Sequence, residues 1–337
     1  MRAPSGPDTP PVRLIDRPGS LRSRALVRLL RWLANKPLRH NDDIAALRRR
    51  YEAIDARHVP VARTVRREPV HCNGVPAEWI SVPETRPGRT LLLLHGGSFA
   101  FRFPNVYAAF AARLCRSLEA RALIPDYRLV PEHPYPAAPD DCQAAWRWLL
   151  ASGCDPRQVV LLGDSAGGSL ALVTLYRCVQ AGEALPACAV LLSPGVDCTF
   201  DSPSMVENEG RDPVIRMPNL LVMRRHYVPS PGLYTHPDVS PLFADFAGFP
   251  PLLLQAGHSE MMRDEAIRTA QKAHASGVDV ELELWRDTPH GFQVAPFLPE
   301  AALAVEQIVR FVRKRTGWQP TPAEPLAPLP PVAGAVP

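Results

Sequence analysis

A serine stands between two glycines where an apolar run gives way to a helix-compatible run. Residues 159–162 are all Val or Leu, which predicts a buried strand, and the pattern G-x-S-x-G follows at 163–167 with Ser165 at its centre. Such a turn is sharp, so the serine hydroxyl projects beyond the strand, and the glycines let strand and helix approach each other. A projecting hydroxyl suits nucleophilic attack on an acyl carbon. Ser165 is therefore the candidate nucleophile; the alternative is a glycine-rich turn that happens to contain serine.

A serine hydroxyl is a weak nucleophile until a histidine, itself oriented by a carboxylate, takes its proton. For a nucleophile on this type of turn, the acid and then the histidine come later in the chain. His290 follows the apolar run at 280–285, beside a proline and a glycine that favour a loop. His258 lies where the acid is expected, and His274 lies in a predicted helix. His290 is the candidate base.

The acid is expected just after the apolar run at 252–255. Glu260 is the carboxylate nearest to the end of that run, whereas Asp264 and Glu265 stand at the start of a predicted helix. A carboxylate at a helix start has another role, as a cap and as a partner of the helix dipole. We expect Glu260 to be the acid and keep Asp264 as the alternative.

Acyl transfer also needs N–H groups that stabilise the negative oxygen of the intermediate. A run of four leucines ends in His-Gly-Gly-Ser at 95–98. The backbone of this turn can direct the amides of Gly97 and Ser98 toward the serine, and the amide of Ala166 is the third candidate donor. His95 is either a second catalytic histidine or a brace for the turn, and we expect the brace.

The elements that must position these groups alternate along the chain. Short apolar runs predict strands at residues 91–94, 122–124, 159–162, 189–192, 252–255 and 280–285. Helical patterns lie between most of them, at residues 105–119, 137–151, 167–181 and 264–276. This alternation predicts an α/β fold with a mostly parallel central sheet and helices on both faces.

Two helices are predicted before the first strong strand. Residues 21–35 place Leu26, Leu29, Leu30 and Leu33 on one face and three arginines on another. This helix either packs on the body with its arginines in water, as we expect, or lies on a membrane surface. The second helix follows a cap at Asn41 or Asp42, and its arginines at 48–50 are expected on a solvated face.

Proline marks three further segments of the chain. Residues 198–235 hold five prolines and one predicted helix near 217–227, and we expect them to form a cap together with the N-terminal helices. Residues 1–18 and the tail at 319–337 are also rich in proline, which predicts that both are disordered.

Composition limits the partners and the compartment. The net charge is +4, and 35 of the 38 basic residues are arginines spread along the chain, which does not indicate nucleic-acid binding. No apolar run reaches 18 residues, so we expect no stable membrane insertion. The seven cysteines are odd in number and form no CxxC, which favours reduced thiols and no zinc site. With no secretory signal pattern at the N-terminus, the expected location is the cytoplasm.

Five sequence motifs then occur in the order of one known family. They are His-Gly-Gly-Ser at 95–98, Asp-Tyr-Arg-Leu-Val-Pro-Glu-His-Pro at 126–134, Gly-Asp-Ser-Ala-Gly-Gly at 163–168, Ser193-Pro194 with Asp197, and His-Gly-Phe at 290–292. Between residues 91 and 292 the chain thereby resembles the bacterial hormone-sensitive-lipase family of α/β-hydrolases. It departs from that family at Ser98, where glycine is usual, and at Glu260, where aspartate is more frequent.

The resemblance implies an α/β-hydrolase fold with a helical cap, and hydrolysis of short- to medium-chain carboxylic esters without a cofactor or metal. The partner is then a small-molecule ester. The alternatives are a lactone, an acetylated substrate or an amide on the same site, or a non-catalytic ligand-binding protein. The oligomeric state stays open between a monomer and a homodimer. The expected organisation is a disordered N-terminus (1–18), a helical cap segment (19–58), a catalytic domain (59–197 and 236–318), a cap insertion (198–235) and a disordered tail (319–337).

Overall fold

The computed structural model describes residues 12–16, 18–33, 37–39 and 42–321. Within these ranges the strands are β1 (Val12–Ile15), β2 (Arg66–Cys72), β3 (Val75–Ser81), β4 (Thr90–Leu94), β5 (Arg121–Pro125), β6 (Val159–Asp164), β7 (Cys188–Leu192), β8 (Leu252–Gly257) and β9 (Val280–Trp285). The α-helices are α1 (Leu21–Leu33), α2 (Ile44–His58), α3 (Pro104–Leu118), α4 (Ala137–Ala151), α5 (Ala166–Ala181), α6 (Ser204–Glu207), α7 (Met217–Tyr227), α8 (Arg263–Ala275) and α9 (Pro299–Thr316).

The strands form one sheet in the order β1-β9-β8-β7-β6-β4-β5-β3-β2. Neighbours run parallel except at one end, where β3 is antiparallel to both β5 and β2. Alternate residues of a strand point to opposite faces. Leu92 and Leu94 accordingly pack with α4, α5 and α8, whereas Leu91 and Leu93 pack with α3 and α9. The expected mostly parallel sheet with helices on both faces is confirmed.

The six strands and four helices predicted between residues 91 and 285 are all present, and the hairpin β2–β3 and helix α9 were missed. The hairpin turns at Asn73 and Gly74, whose φ angles are 52° and 91°. An Asn-Gly pair is a strong hairpin signal. The first strand of the hairpin is partly exposed and rich in charged residues, so it shows no apolar run.

Residues 12–15 were expected to be disordered, and that expectation was wrong. They form β1, which pairs in parallel with the edge strand β9. The strand is short and half exposed, so its sequence carries little signal. Its backbone is fixed by hydrogen bonds that β9 would otherwise leave unpaired. Residues 1–11 lie outside the described ranges.

Residues 319–321 were expected to belong to a disordered tail, and that expectation was wrong. The guanidinium of Arg89 donates to the Gln319 carbonyl at 2.7 Å. The amide of Thr321 donates to the carboxylate of Glu119 at 2.7 Å. These two charged side chains therefore hold residues 319–321 against the body, and residues 322–337 lie outside the described part of the chain.

The first N-terminal helix packs on the body with part of the face that was expected. Leu26 of α1 contacts a buried cluster around Trp285 and Phe292, whereas Leu29 is exposed. Residues 34–36 and the side chain of Leu33 lie outside the described part of the structure. In that part, no helix combines the length and the apolar character needed to cross a membrane.

The second N-terminal helix corrects two expectations. Its cap is Asp43, whose carboxylate accepts from the Ala46 amide at 2.8 Å, and not Asp42; Asn41 lies outside the described residues. Arg48 is also not solvated. Its Nε donates to the Ala100 carbonyl at 2.7 Å, and its Nη2 lies 2.7 Å from a Glu132 oxygen.

Helices α2 and α7, called the cap helices below, pack together above the turn that follows β4. Ile44 of α2 shares a buried cluster with Met223 and Tyr227 of α7, and Phe99 packs against the same cluster. A buried carboxylate adds a second link between α2 and the body. Asp55 accepts from the Asn105 amide at 2.7 Å and from the Val106 amide at 3.0 Å, both in the first turn of α3.

We predict that Asp55→Ala destabilises the fold by about 2 kcal/mol or more, because it removes two charge-assisted hydrogen bonds and leaves a helix start without acceptors. Urea unfolding followed by circular dichroism measures the change. The control is Asp155→Ala, since Asp155 accepts a backbone bond in an exposed turn and should matter much less. Equal losses in the two variants would contradict the prediction.

Candidate active site

The nucleophile turn has the strained geometry that its sequence predicts. Strand β6 ends at Asp164 and α5 begins at Ala166, so Ser165 alone makes the turn, with φ 54° and ψ −118°. A positive φ costs energy for a residue other than glycine. Close packing explains one of the glycines: a Cβ at Gly167 would lie 2.0 Å from the Leu94 carbonyl oxygen.

Three side chains from separate parts of the chain form one line of hydrogen bonds. The Nε2 atom of His290 lies 2.9 Å from Oγ of Ser165. The Nδ1 atom of the same ring lies 2.9 Å from Oε2 of Glu260. A carboxylate only accepts, so Nδ1 carries a proton, and in the neutral ring Nε2 is then free to accept from the serine.

The carboxylate of Glu260 is 1% exposed and accepts two further hydrogen bonds. The hydroxyl of Ser193, just after β7, donates to its Oε1 at 2.8 Å. The amide of Gly257, the last residue of β8, donates to the same oxygen. Three donors, one at the end of β8 and two in the loops after β7 and β9, therefore hold the carboxylate in one orientation.

The turn after β4 is held from below by two tyrosines. Tyr127 donates to the His95 carbonyl at 2.7 Å. Tyr107 accepts from the Gly96 amide at 2.8 Å and donates to the carboxylate of Asp164 at 2.6 Å. These buried hydroxyls fix the position of this turn relative to the nucleophile turn.

Three backbone amides near Ser165 have no acceptor among the described residues: those of Gly97, Ser98 and Ala166. The φ angles of Gly97 and Ser98 are 125° and 54°, so the backbone here turns away from an extended strand. Ser98, Ser165 and Ala166 line the same cavity. Unpaired amides around one cavity can stabilise a negative oxygen there.

The cavity beside Ser165 is small and mostly apolar. Its volume is about 50 Å³. Tyr227 and Met223 from a cap helix line it together with Phe99. The rings of Phe99 and Tyr227 stack with their centroids 3.7 Å apart. The cap helix and the turn after β4 therefore form part of the cavity wall together.

The chain is similar in sequence to a known protein family and to several known proteins. Residues 91–294 match the family model described as alpha/beta hydrolase fold. An acetyl-hydrolase of Streptomyces hygroscopicus is 38% identical over 248 residues, which cover 73% of this chain and 81% of that protein. An esterase of Acinetobacter venetianus is 32% identical over 253 residues, 75% of this chain and 83% of that protein.

A crystal structure of an esterase from the bacterial hormone-sensitive lipase family superposes with a TM-score of 0.83 and 37% identity, covering 89% of this chain and 100% of that chain. The chain belongs to the bacterial hormone-sensitive-lipase family of α/β-hydrolases, and it is a serine carboxylesterase. The family and the fold predicted from the motifs are confirmed.

The structure separates the two acid candidates of this esterase. Oε2 of Glu260 lies 2.9 Å from Nδ1 of His290. Asp264 instead accepts from the Ser204 amide at 3.0 Å and from Nε of Arg263 at 2.7 Å. It therefore connects the start of α8 with α6 and does not reach the histidine.

Among the described residues, none of the other histidines considered as bases makes a hydrogen bond with Ser165. The ring of His95 stacks on Tyr127 with centroids 4.2 Å apart, and its Nδ1 lies 2.8 Å from the Gly96 carbonyl. These contacts fit the expected brace. His258 is exposed, and His274 lies on α8.

Two further carboxylates of the esterase act on His290, and sequence reasoning gave neither of them an effect on the histidine. Asp212 is buried and accepts from the Met261 amide at 2.9 Å, so the segment 198–235 contacts the loop that holds Glu260. Asp164 is buried and one of its oxygens has no partner among the described residues. The Gly-Asp-Ser pattern could have indicated Asp164, whereas nothing local marks Asp212.

The charges of these carboxylates and of Glu260 determine whether the pKa of His290 is raised or lowered. Burial disfavours the charged ring, but the hydrogen bond and the charge of Glu260, followed by the charges of Asp212 and Asp164, outweigh that effect. The pKa of His290 is therefore raised above its usual value.

We predict that Asp164→Asn lowers the pKa of His290, because it removes one of the negative charges that favour the imidazolium while an amide oxygen can still accept from Tyr107. A pH titration of the His290 ring protons by NMR measures this pKa. The control is Asp264→Asn, whose carboxylate faces Arg263. A pKa that does not change in Asp164→Asn, or changes equally in both variants, would contradict the electrostatic account.

Proposed function

We propose that Ser165, His290 and Glu260 are the catalytic residues of this esterase. The line of hydrogen bonds from Glu260 through His290 to Ser165 carries the proposal. The serine oxygen attacks the ester carbonyl carbon while its proton passes to Nε2 of His290. Glu260 holds the ring in the tautomer that can accept this proton, and its charge stabilises the imidazolium that forms.

The tetrahedral intermediate places a negative charge on the former carbonyl oxygen. The amides of Gly97, Ser98 and Ala166 are the donors for this oxygen. His290 then gives its proton to the leaving alcohol, and the acyl group stays on Ser165. A water molecule attacks the acyl group, its proton passes to His290, and the acid leaves as Ser165 regains its proton.

We further propose that the acyl group is short, with acetyl esters among the preferred substrates. A cavity of about 50 Å³ leaves little room beside Ser165 for a long acyl chain. The stacked rings of Phe99 and Tyr227 limit its extension. The similar Streptomyces protein is named an acetyl-hydrolase, which agrees with this size limit.

The cap and the compartment are parts of the same proposal. Helices α2 and α7 form a cap that determines which esters enter, because both pack on the turn that supplies two oxyanion donors. The seven cysteines form no disulfide. Free thiols of this kind support a reducing cytoplasm as the location of the enzyme.

We predict that Ser165→Ala remains folded and loses hydrolysis of p-nitrophenyl acetate and butyrate by about 10⁴-fold or more in kcat. In the wild type, kcat/KM should fall from the C2 or C4 ester to the C8 and C12 esters. Activity of Ser165→Ala within tenfold of the wild type would contradict the mechanism. A preference for C12 would contradict only the size limit.

We predict that Glu260→Gln lowers kcat by about 10⁴-fold, since a neutral amide cannot stabilise the charged His290 ring. The matched control is Asp264→Asn, which changes a carboxylate four residues later that does not contact the histidine. It should cost stability but leave kcat nearly unchanged. If Asp264→Asn were the inactive variant and Glu260→Gln the active one, the assignment of the acid would be wrong.

A further inference from the structure

The outer surface of α1 combines exposed apolar side chains with arginines. Leu21 is 78% exposed, Leu29 is 50% exposed and Trp32 is 70% exposed. With 3.6 residues per turn, these three side chains fall on one side of the helix. Large apolar groups exposed together on one surface indicate an interaction site.

Arginines flank this apolar stripe on both sides. Arg22 lies on one side and Arg24, Arg28 and Arg31 lie on the other, and the helix contains no acidic residue. Among the described residues none of the four is in an ion pair. Two of their guanidinium groups donate to backbone carbonyls, Arg22 to Phe297 at 3.3 Å and Arg31 to Arg211 at 2.5 Å.

A cavity beside the arginine-rich side of α1 extends this basic surface. Arg24, Arg28 and Arg31 line it from the helix, and Arg211 lines it from the insertion. Its volume is about 210 Å³. The carboxylate of Asp287 also borders it, so four cationic groups face one anionic group.

The opposite side of α1 contacts the loop that leads to His290. The hydroxyl of Ser23 donates to the Asp287 carbonyl at 2.7 Å, three residues before the histidine. The apolar surface also continues beyond the helix, because the Phe297 side chain is 53% exposed next to Arg22.

We propose that α1 binds an anionic lipid surface, with Leu21, Leu29 and Trp32 in the acyl region and the arginines on the phosphate groups. An exposed helix with an apolar face, arginines on both flanks and no acid fits this type of surface. The proposal concerns peripheral attachment and goes beyond ester hydrolysis, which does not require it.

The charges argue against two other binding partners for this surface, a second copy of the chain and the chain's own residues outside the described ranges. A second copy of the chain in a two-fold interface would bring the four arginines of one helix near those of the other. The chain's own residues outside the described ranges offer few acids: residues 1–11 contain Asp8 together with Arg2, and residues 322–337 contain only Glu324. A lipid surface supplies many negative charges at once.

The test is co-sedimentation of the full chain with sucrose-loaded vesicles. We expect binding to vesicles of phosphatidylcholine with 30% phosphatidylglycerol, weak binding to phosphatidylcholine alone, and release as the salt concentration rises. Replacing Arg24, Arg28 and Arg31 by glutamine should weaken binding by about fivefold for each arginine. Leu29→Ser with Trp32→Ser should weaken it by about tenfold or more.

The matched control combines Phe243→Ser with Arg157→Gln, which removes an exposed apolar side chain and an exposed arginine that lie outside α1. This control should bind vesicles as the wild type does, and hydrolysis of p-nitrophenyl acetate should be unchanged in all variants. Equal binding by the control and the α1 variants would overturn the proposal. The proposal would also be overturned if the wild type did not bind vesicles. This holds whether analytical ultracentrifugation shows the wild type as a monomer or as a dimer that Trp32→Ser dissociates.

Discussion

The buried carboxylate of Glu260 is the constraint on which the catalytic edge of the sheet depends. An isolated carboxylate removed from water costs several kcal/mol, so it stays charged only where donors replace the lost water. Here the donors are the Ser193 hydroxyl, the Gly257 amide and the His290 ring. Ser193 and His290 lie in the loops after β7 and β9, and Gly257 ends β8, whose following loop holds Glu260. The loops after β7, β8 and β9 are therefore fixed relative to one another by one charge.

The order of the strands explains why these loops meet at one place. Strands β6, β7, β8 and β9 are neighbours and run parallel, so their carboxyl ends lie along one edge. The loop after β6 joins the others through the backbone, where the Ser165 amide donates to the Leu192 carbonyl at 2.8 Å. The proposed nucleophile, base and acid, which are far apart in sequence, thus come within hydrogen-bond distance without a long loop.

Local sequence was sufficient for the parts of the site whose chemistry needs particular residue types at short spacing. The strand, the turn at Ser165 and the helix after it form one local unit, and His290 and Glu260 each follow a recognisable apolar strand. The remaining features depend on tertiary contacts. The sequence predicts that Arg48 is solvated, but in the fold its side chain donates to the Ala100 carbonyl. Asp212 has no local pattern that relates it to His290, which lies 78 residues later in the chain. Strand β1 forms because it pairs with the otherwise open edge of β9. The residues of β1 alone do not predict this pairing.

The contact between Arg48 and the Ala100 carbonyl relates substrate choice to reaction rate. Arg48 belongs to a cap helix, and Ala100 lies two residues after Ser98, one of the proposed oxyanion donors. A change of cap sequence that alters which esters fit would also disturb the backbone that holds the intermediate. In chimeras that exchange the cap between relatives, selectivity and turnover should therefore change together. An arginine at position 48 is then needed to transfer ester selectivity to another enzyme without losing turnover.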